Sequence, residues 1–198
     1  QAIDSTGVRT PSQIITINRN GTPGQVTIYE QDQSPVGTPG GTSEPGTVPL
    51  TPGTSVGLEP VTLYGFRVRH INFIATTSVV NAASTAVTKN DSSFRVRAGL
   101  ANPNCVSFES INFANFYLRH RNFQVYIEQR GVTPFDQDAT FCPKTGLTGQ
   151  NTSFESVNFA NYYLRVRAKE NNFYLDRFDN SAAMRQQMTF GVRPGYAS

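Results

Sequence analysis

Ser107-Phe108-Glu109-Ser110-Ile111-Asn112-Phe113-Ala114-Asn115-Phe116-Tyr117-Leu118-Arg119-His120 is the stretch that decides the fold, because the chain writes it three times. Gly57-Leu58-Glu59-Pro60-Val61-Thr62-Leu63-Tyr64-Gly65-Phe66-Arg67-Val68-Arg69-His70 aligns on it without a gap. So does Ser153-Phe154-Glu155-Ser156-Val157-Asn158-Phe159-Ala160-Asn161-Tyr162-Tyr163-Leu164-Arg165-Val166. Each copy ends on a second marker: Asp91-Ser92-Ser93-Phe94, Asp138-Ala139-Thr140-Phe141 and Gln187-Met188-Thr189-Phe190. An internal repeat of this length sets the architecture before any single residue is weighed.

Within each copy, short alternating stretches are broken by Asn, Gly and Pro at intervals typical of an all-β domain, and no segment shows helical periodicity with caps. Three repeats of four short strands predict a β-trefoil over residues 58–198, with repeats of about 58–103, 104–149 and 150–198. Matching volumes at matching positions supply its core layers. These are Leu58/Phe108/Phe154, Val61/Ile111/Val157, Val68/Leu118/Leu164 and Phe94/Phe141/Phe190.

The N-terminal part has a different character. Residues 13–30 read as a β-hairpin within an arm of residues 1–33, with Ile14-Ile15-Thr16-Ile17 and Val26-Thr27-Ile28-Tyr29 flanking the turn-former Asn20-Gly21-Thr22-Pro23-Gly24. Residues 34–57 are rich in Pro, Gly and Thr and read as an extended linker. An isolated hairpin is marginally stable in water, so the arm is expected to dock on its own trefoil or on another copy.

Net charge is only +3 and the arginines are spread through the repeats, so the pI near 9.0 gives little support for a nucleic-acid partner. No apolar run is long enough to span a bilayer as a helix. The chain opens at Gln1 without a Met or a signal segment, which reads as a mature secreted product, and the expected location is extracellular. Sequons at Asn20, Asn90 and Asn151 are glycosylation candidates consistent with export.

Cys105 lies just ahead of the first strand of the middle repeat, and Cys142 follows that repeat's closing Phe141. If first and last strands lie side by side, a disulfide closes the repeat and stabilises it by roughly 3–4 kcal/mol in the chain-entropy account. The alternative is two buried free thiols. The wide spacing is unlike that of close-set metal ligands.

Tyr117-Leu118-Arg119-His120-Arg121-Asn122-Phe123, followed by Asp138-Ala139-Thr140-Phe141 and Pro143-Lys144-Thr145-Gly146-Leu147, resembles the arabinofuranose-binding domain, a family 42 carbohydrate-binding module. The resemblance covers roughly residues 58–198 in all three repeats and leaves the N-terminal arm unexplained. It implies a β-trefoil in which each repeat can form a shallow pocket, with His and Asp hydrogen-bonding a terminal arabinofuranose. It also implies a module without catalytic activity of its own.

That chemistry is sound for a furanose. A carboxylate accepts from two neighbouring hydroxyls, an imidazole donates or accepts another, and apolar surface covers the ring. Pocket one is then His70 with Asp91, pocket two is His120 with Asp138, and the adjacent Asn72 and Asn122 complete the sugar-binding set. Pocket three has Val166 and Gln187 and is degenerate. A His before Asn-Phe and an Asp before Ser or Thr could instead be turn residues. Their joint absence from the third copy favours partners in a site.

Two departures bear on the pockets. The residues directly after the His are Ile71 and Arg121, where the family often has an aromatic, and the first repeat carries Pro60-Val61-Thr62. Pocket two is therefore the stronger expectation. His70 and His120 are the chain's two histidines, and no phosphate loop, nucleophile elbow or metal cluster is present in the sequence. A non-catalytic protein needing no metal or cofactor is expected. The reading from another class is a structural subunit of an extracellular filament or surface assembly, self-associating as a homo-oligomer by strand addition through residues 13–30.

Overall fold

A computed structural model describes residues 14–19, 22–27, 48–167 and 172–198 of the chain. The chain divides into two compact units, Gln1–Thr38 and Pro39–Ser198. In the smaller unit, β1 (Ile14–Arg19) pairs antiparallel with β2 (Thr22–Thr27), in a register that sets Ile14 opposite Thr27 and Arg19 opposite Thr22. The second strand therefore begins earlier than its β-branched residues suggest and takes in Pro23 and Gly24. Ile28, Tyr29, the sequon residue Asn20 and residues 34–47 of the expected linker lie outside the described residues.

The larger unit takes up the sequence before the compositional boundary at residue 57. Val48 N–H donates to Val192 O, Gly53 N–H donates to Val96 O, and a strand already begins at Ser55. Val48 and Leu50 pack against the core. The Pro, Gly and Thr that read as linker hide this, because the two apolar side chains sit singly among them.

From there one order of elements recurs. First come β3 (Ser55–Pro60), the hairpin β4 (Phe66–Ile71) and β5 (Ile74–Val79), α1 (Ala86–Asp91) and β6 (Phe94–Ala98). Then come β7 (Val106–Ser110), β8 (Phe116–Arg121), β9 (Gln124–Gln129), α2 (Phe135–Asp138) and β10 (Phe141–Thr145). Last are β11 (Thr152–Ser156), β12 (Tyr162–Arg167), β13 (Asn172–Arg177), α3 (Ala182–Gln187) and β14 (Phe190–Pro194).

The result is an all-β unit with one 12-stranded sheet and three short helices among the described residues. Each repeat's last strand pairs with the first strand of the next: Phe94 opposite Ser110, Phe141 opposite Ser156, and Phe190 opposite Pro60. The third of these pairings joins the end of the chain to the beginning of the unit, and β14 also bridges to β11, so the sheet closes on itself. The three hairpins meet at one another's tips through Ile74 and Tyr126, Tyr174 and Gln124, and Asn172 and Thr76.

Three of the four expected layers form the core. Leu58/Phe108/Phe154, Val68/Leu118/Leu164 and Phe94/Phe141/Phe190 are fully buried and belong to one apolar cluster. The fourth is corrected: Val61, Ile111 and Val157 are only half-buried. They lie one residue past the strand ends, where their N–H groups donate to Thr189, Ser93 and Thr140 carbonyls across the repeat junctions. Cys105 and Cys142 form a disulfide, beside the bridge between Val106 and Phe141.

The three helices are absent from the sequence expectation. Four to six residues are too few to display a 3.6-residue period. Two of them do carry an N-cap: the Thr85 hydroxyl accepts from Thr88 N–H, and the Ser181 hydroxyl from Met184 N–H. Their importance lies at the other end. Asp91, Asp138 and Gln187 are the last residues of α1, α2 and α3.

Candidate carbohydrate-contacting clusters at the repeat junctions

His70 and His120 occupy the same place on β4 and β8. Along each strand the inward positions are Val68 then His70, and Leu118 then His120. The corresponding residue of β12 is Val166, which is fully buried in the apolar core. The position is thus a core-facing slot, and an imidazole placed there needs polar partners.

Those partners come from two directions. The helix that follows the hairpin brings up Asp91 or Asp138, with His70 Nε2 3.4 Å from Asp91 Oδ1 and His120 Nε2 3.6 Å from Asp138 Oδ1. The next repeat supplies an asparagine. Asn112 Oδ1 lies 3.2 Å from His70 Nε2, while its Nδ2 donates to Asp91 Oδ1 at 2.8 Å. Asn158 stands to His120 at 3.1 Å and donates to Asp138 Oδ1 at 2.8 Å. A serine two residues earlier completes each set: Ser110 and Ser156 hydroxyls donate to the asparagine Oδ1 atoms at 2.8 and 2.7 Å.

The strand arginine next to each histidine holds the other carboxylate oxygen. Arg69 Nη2 donates to Asp91 Oδ2 at 2.7 Å, and Arg119 Nη2 to Asp138 Oδ2 at 3.0 Å. Burial pushes both imidazoles below their ordinary pKa. For His70 the Asp91 charge and the Asn112 hydrogen bond pull the other way, and Arg69 reinforces the fall. Around His120 the opposing influences are Asn158 and then Asp138, with Arg119 again lowering. Both histidines are accordingly neutral at physiological pH.

An aromatic rim stands over each pair. Phe113 meets His70 edge-on at 5.5 Å and packs with Phe73 and Phe116. Phe159 meets His120 at 5.4 Å and packs with Phe123 and Tyr162. Phe73, Phe123 and Phe159 remain 45%, 41% and 36% exposed. Apolar cover thus comes from the third residue after the histidine and from the following repeat, not from Ile71 or Arg121. Arg121 instead pairs with Glu128 and lies over the Tyr126 ring.

Asn72 and Asn122 stand elsewhere than the sequence suggests. With φ of 50° and 51°, followed by Phe73 and Phe123 at 65° and 63°, each begins a two-residue hairpin turn of left-handed residues. They are exposed, and they are not among the residues that hydrogen-bond the buried histidines or aspartates. Their sequence proximity to the histidines reflects the turn. Of the sequons, Asn151 sits at an exposed turn with φ of 62°. Asn90 is half-buried in the last turn of α1, with Ser92 buried beneath it.

The third junction has the frame without the cluster. Val61 N–H donates to Thr189 O just as Ile111 donates to Ser93 and Val157 to Thr140, so Thr62 holds the place of Asn112 and Asn158. Pro60 stands for the serine and Leu63 for the rim phenylalanine. Arg165 donates to Gln187 Oε1 through Nε at 2.8 Å and also pairs with Asp176. The Pro60-Val61-Thr62 departure therefore belongs to junction three and leaves the His70 cluster intact. Among the described residues no three His, Cys, Asp or Glu side chains converge as metal ligands.

Residues 61–196 match the family described as the Alpha-L-arabinofuranosidase B (ABFB) domain. An Alpha-L-arabinofuranosidase B of Penicillium canescens is 35% identical over 155 residues, covering 75% of this chain and 34% of the relative. The Arabinofuranosidase/B-xylosidase of Trichoderma koningii is 34% identical over 157 residues, covering 75% and 31%. Among solved structures, an arabinofuranosidase complexed with arabinofuranosyl-alpha-1,2-xylobiose gives a TM-score of 0.69 at 30% identity, over 77% of this chain and 33% of that one. An endo-β-galactosidase from Clostridium perfringens, at 10% identity and a TM-score of 0.56, shares the fold alone. The chain spans about a third of the length of its arabinofuranosidase relatives. Repeat motif, fold and comparisons converge: the chain belongs to the alpha-L-arabinofuranosidase B domain family.

Proposed function

We propose that the larger unit is a β-trefoil serving as an extracellular, non-catalytic carbohydrate-binding module for glycans with terminal arabinofuranosyl groups. The observation that carries this reading is the buried His–Asp pair beneath an exposed aromatic rim, present at two of three equivalent junctions. Asp91 accepts from Asn112 on Oδ1 and from Arg69 on Oδ2, which leaves each oxygen a lone pair for a sugar hydroxyl. Asp138 Oδ2 already accepts twice from Arg119, so at the second site that lone pair is on Oδ1. The half-exposed phenylalanines offer faces for the C–H side of a furanose ring. A neutral site suits a neutral sugar. Relatives named as arabinofuranosidases supply the sugar class.

Export is supported by the disulfide. No helix among the described residues is long and apolar enough to cross a membrane. β1 and β2 pair with each other, and no observation on the described residues favours the alternative of filament assembly by strand addition.

Calorimetry with arabinoxylan, set against unsubstituted xylan, tests the proposal. Binding of the wild-type chain to the arabinosylated polymer alone is expected, with His120→Ala and Asp138→Ala each losing about tenfold at the second site. Equal binding to both polymers, or to neither, rejects it.

A further inference from the structure

The hydrogen bonds around each His–Asp pair have a direction that can be worked out atom by atom. Asp138 accepts from Arg119 on Oδ2, and a carboxylate has no proton to give on Oδ1 either. The Asn158 atom 2.8 Å from Oδ1 is therefore the amide nitrogen, a donor. Asn158 Oδ1 must then face the Ser156 hydroxyl at 2.7 Å and His120 Nε2 at 3.1 Å. An amide oxygen only accepts, so His120 carries its proton on Nε2. Asp91 likewise takes the Asn112 amide nitrogen, Asn112 Oδ1 faces the Ser110 hydroxyl and His70 Nε2, and His70 carries its proton on Nε2. A neutral imidazole protonated at Nε2 keeps its acceptor at Nδ1.

We propose that Asn112 and Asn158 are positioning residues that fix the tautomer and orientation of the histidine in the preceding repeat, so that the binding unit is the junction between two repeats. Ser110 and Ser156 hold these asparagines in turn. The unit is a quartet of His, Asp, Asn and Ser, half of it contributed by each neighbour. Its sugar-binding consequence rests on the proposed function, whereas the tautomer does not.

Junction three shows what happens when the quartet goes. His and Asp have become Val166 and Gln187 in the third repeat, while Asn and Ser have become Thr62 and Pro60 in the first. If the pair alone were the unit, nothing would tie residues of another repeat to its loss. Among the described residues the buried Thr62 hydroxyl has no hydrogen-bond partner, where Asn112 and Asn158 have theirs. Gln187, in the place of Asp, is taken up by Arg165.

Long-range proton–nitrogen NMR of the imidazoles reads the tautomers directly, and with only His70 and His120 in the chain the spectrum is unambiguous once one is substituted. Both rings are expected to be protonated at Nε2 above about pH 7. Asn158→Ala should release His120 into a mixture of tautomers and leave His70 unchanged, which also checks the fold. Asn112→Ala should do the reverse. A wild-type His120 protonated at Nδ1, or unchanged tautomers in both folded variants, overturns the proposal.

A rebuilt junction gives an independent reading should either alanine variant fail to fold. Val166→His with Gln187→Asp alone should yield a third imidazole of mixed tautomer. Adding Thr62→Asn and Pro60→Ser should lock it at Nε2, and an identical spectrum from both variants overturns the idea. With methyl α-L-arabinofuranoside as probe, Asn158→Ala should weaken the second site on the order of tenfold. Absence of wild-type binding would end the arabinofuranose reading and leave the tautomer result standing.

Discussion

His120 fills a position that the fold itself would give to an aliphatic side chain, as Val166 shows at the equivalent point of β12. Burying an imidazole there without partners costs about 1–3 kcal/mol, so its retention with Asp138 and Asn158 is a choice the packing does not require. Burial also makes stability depend on pH in a definite sense. Both histidines have a folded pKa below their ordinary 6.5, so the unfolded chain binds protons first as pH falls. Their contribution is complete above about pH 6.5 and is lost as pH drops through that value toward the folded pKa. Urea unfolding of the wild type should accordingly weaken between about pH 7 and pH 5, and the His70→Gln/His120→Gln variant should show a shallower decline. Identical slopes would show that the buried rings do not titrate on unfolding. At this scale the His and Asp were legible because the third copy lacks them. Asn112 and Asn158 were equally visible in the alignment, but a reading repeat by repeat assigns them to the wrong neighbour.

The elements place these residues by means the sequence shows unevenly. The hairpin turns are plain from Asn-Phe between alternating runs, yet the sequence groups Asn72 and Asn122 with the sugar contacts because they follow the histidines so closely. Their φ near 50° explains the residue type without a ligand, since Asn tolerates the left-handed region far better than most side chains. Asn122→Gly should therefore leave both the melting temperature and glycan binding near wild type. Asn122→Val, β-branched at a positive φ, should destabilise by about 1–3 kcal/mol in thermal unfolding. A folded Asn122→Gly that no longer binds would return this residue to the site. The helices were illegible for a different reason. α2 has only four residues and no side-chain N-cap, so neither period nor cap announces it, and yet it delivers Asp138.

Closure of the larger unit is what turns three repeats into two clusters. Each junction needs a leading and a following repeat, and β14 supplies the last one by pairing with β3. Three copies thus make three junctions, and the sequence pattern of the repeats made the all-β class and most of the core legible. It could not show that Pro60-Val61-Thr62 lies opposite the third repeat, because Pro60 and Val61 meet Phe190 and Thr189 only by ring closure. The assignment has a stoichiometric consequence that a reading by repeats does not. If the degenerate strand belonged to the first pocket, only the His120 site would be sound and titration would saturate at one small arabinofuranoside per chain. With junctions one and two both complete, calorimetry should give two sites per chain of similar affinity, since their distances agree within a few tenths of an ångström. His120→Ala should weaken one of them about tenfold and leave the other, provided by His70, Asp91 and Asn112, unchanged. Saturation at one site in the wild type, abolished by His120→Ala, would mean that the His70 cluster serves the fold alone.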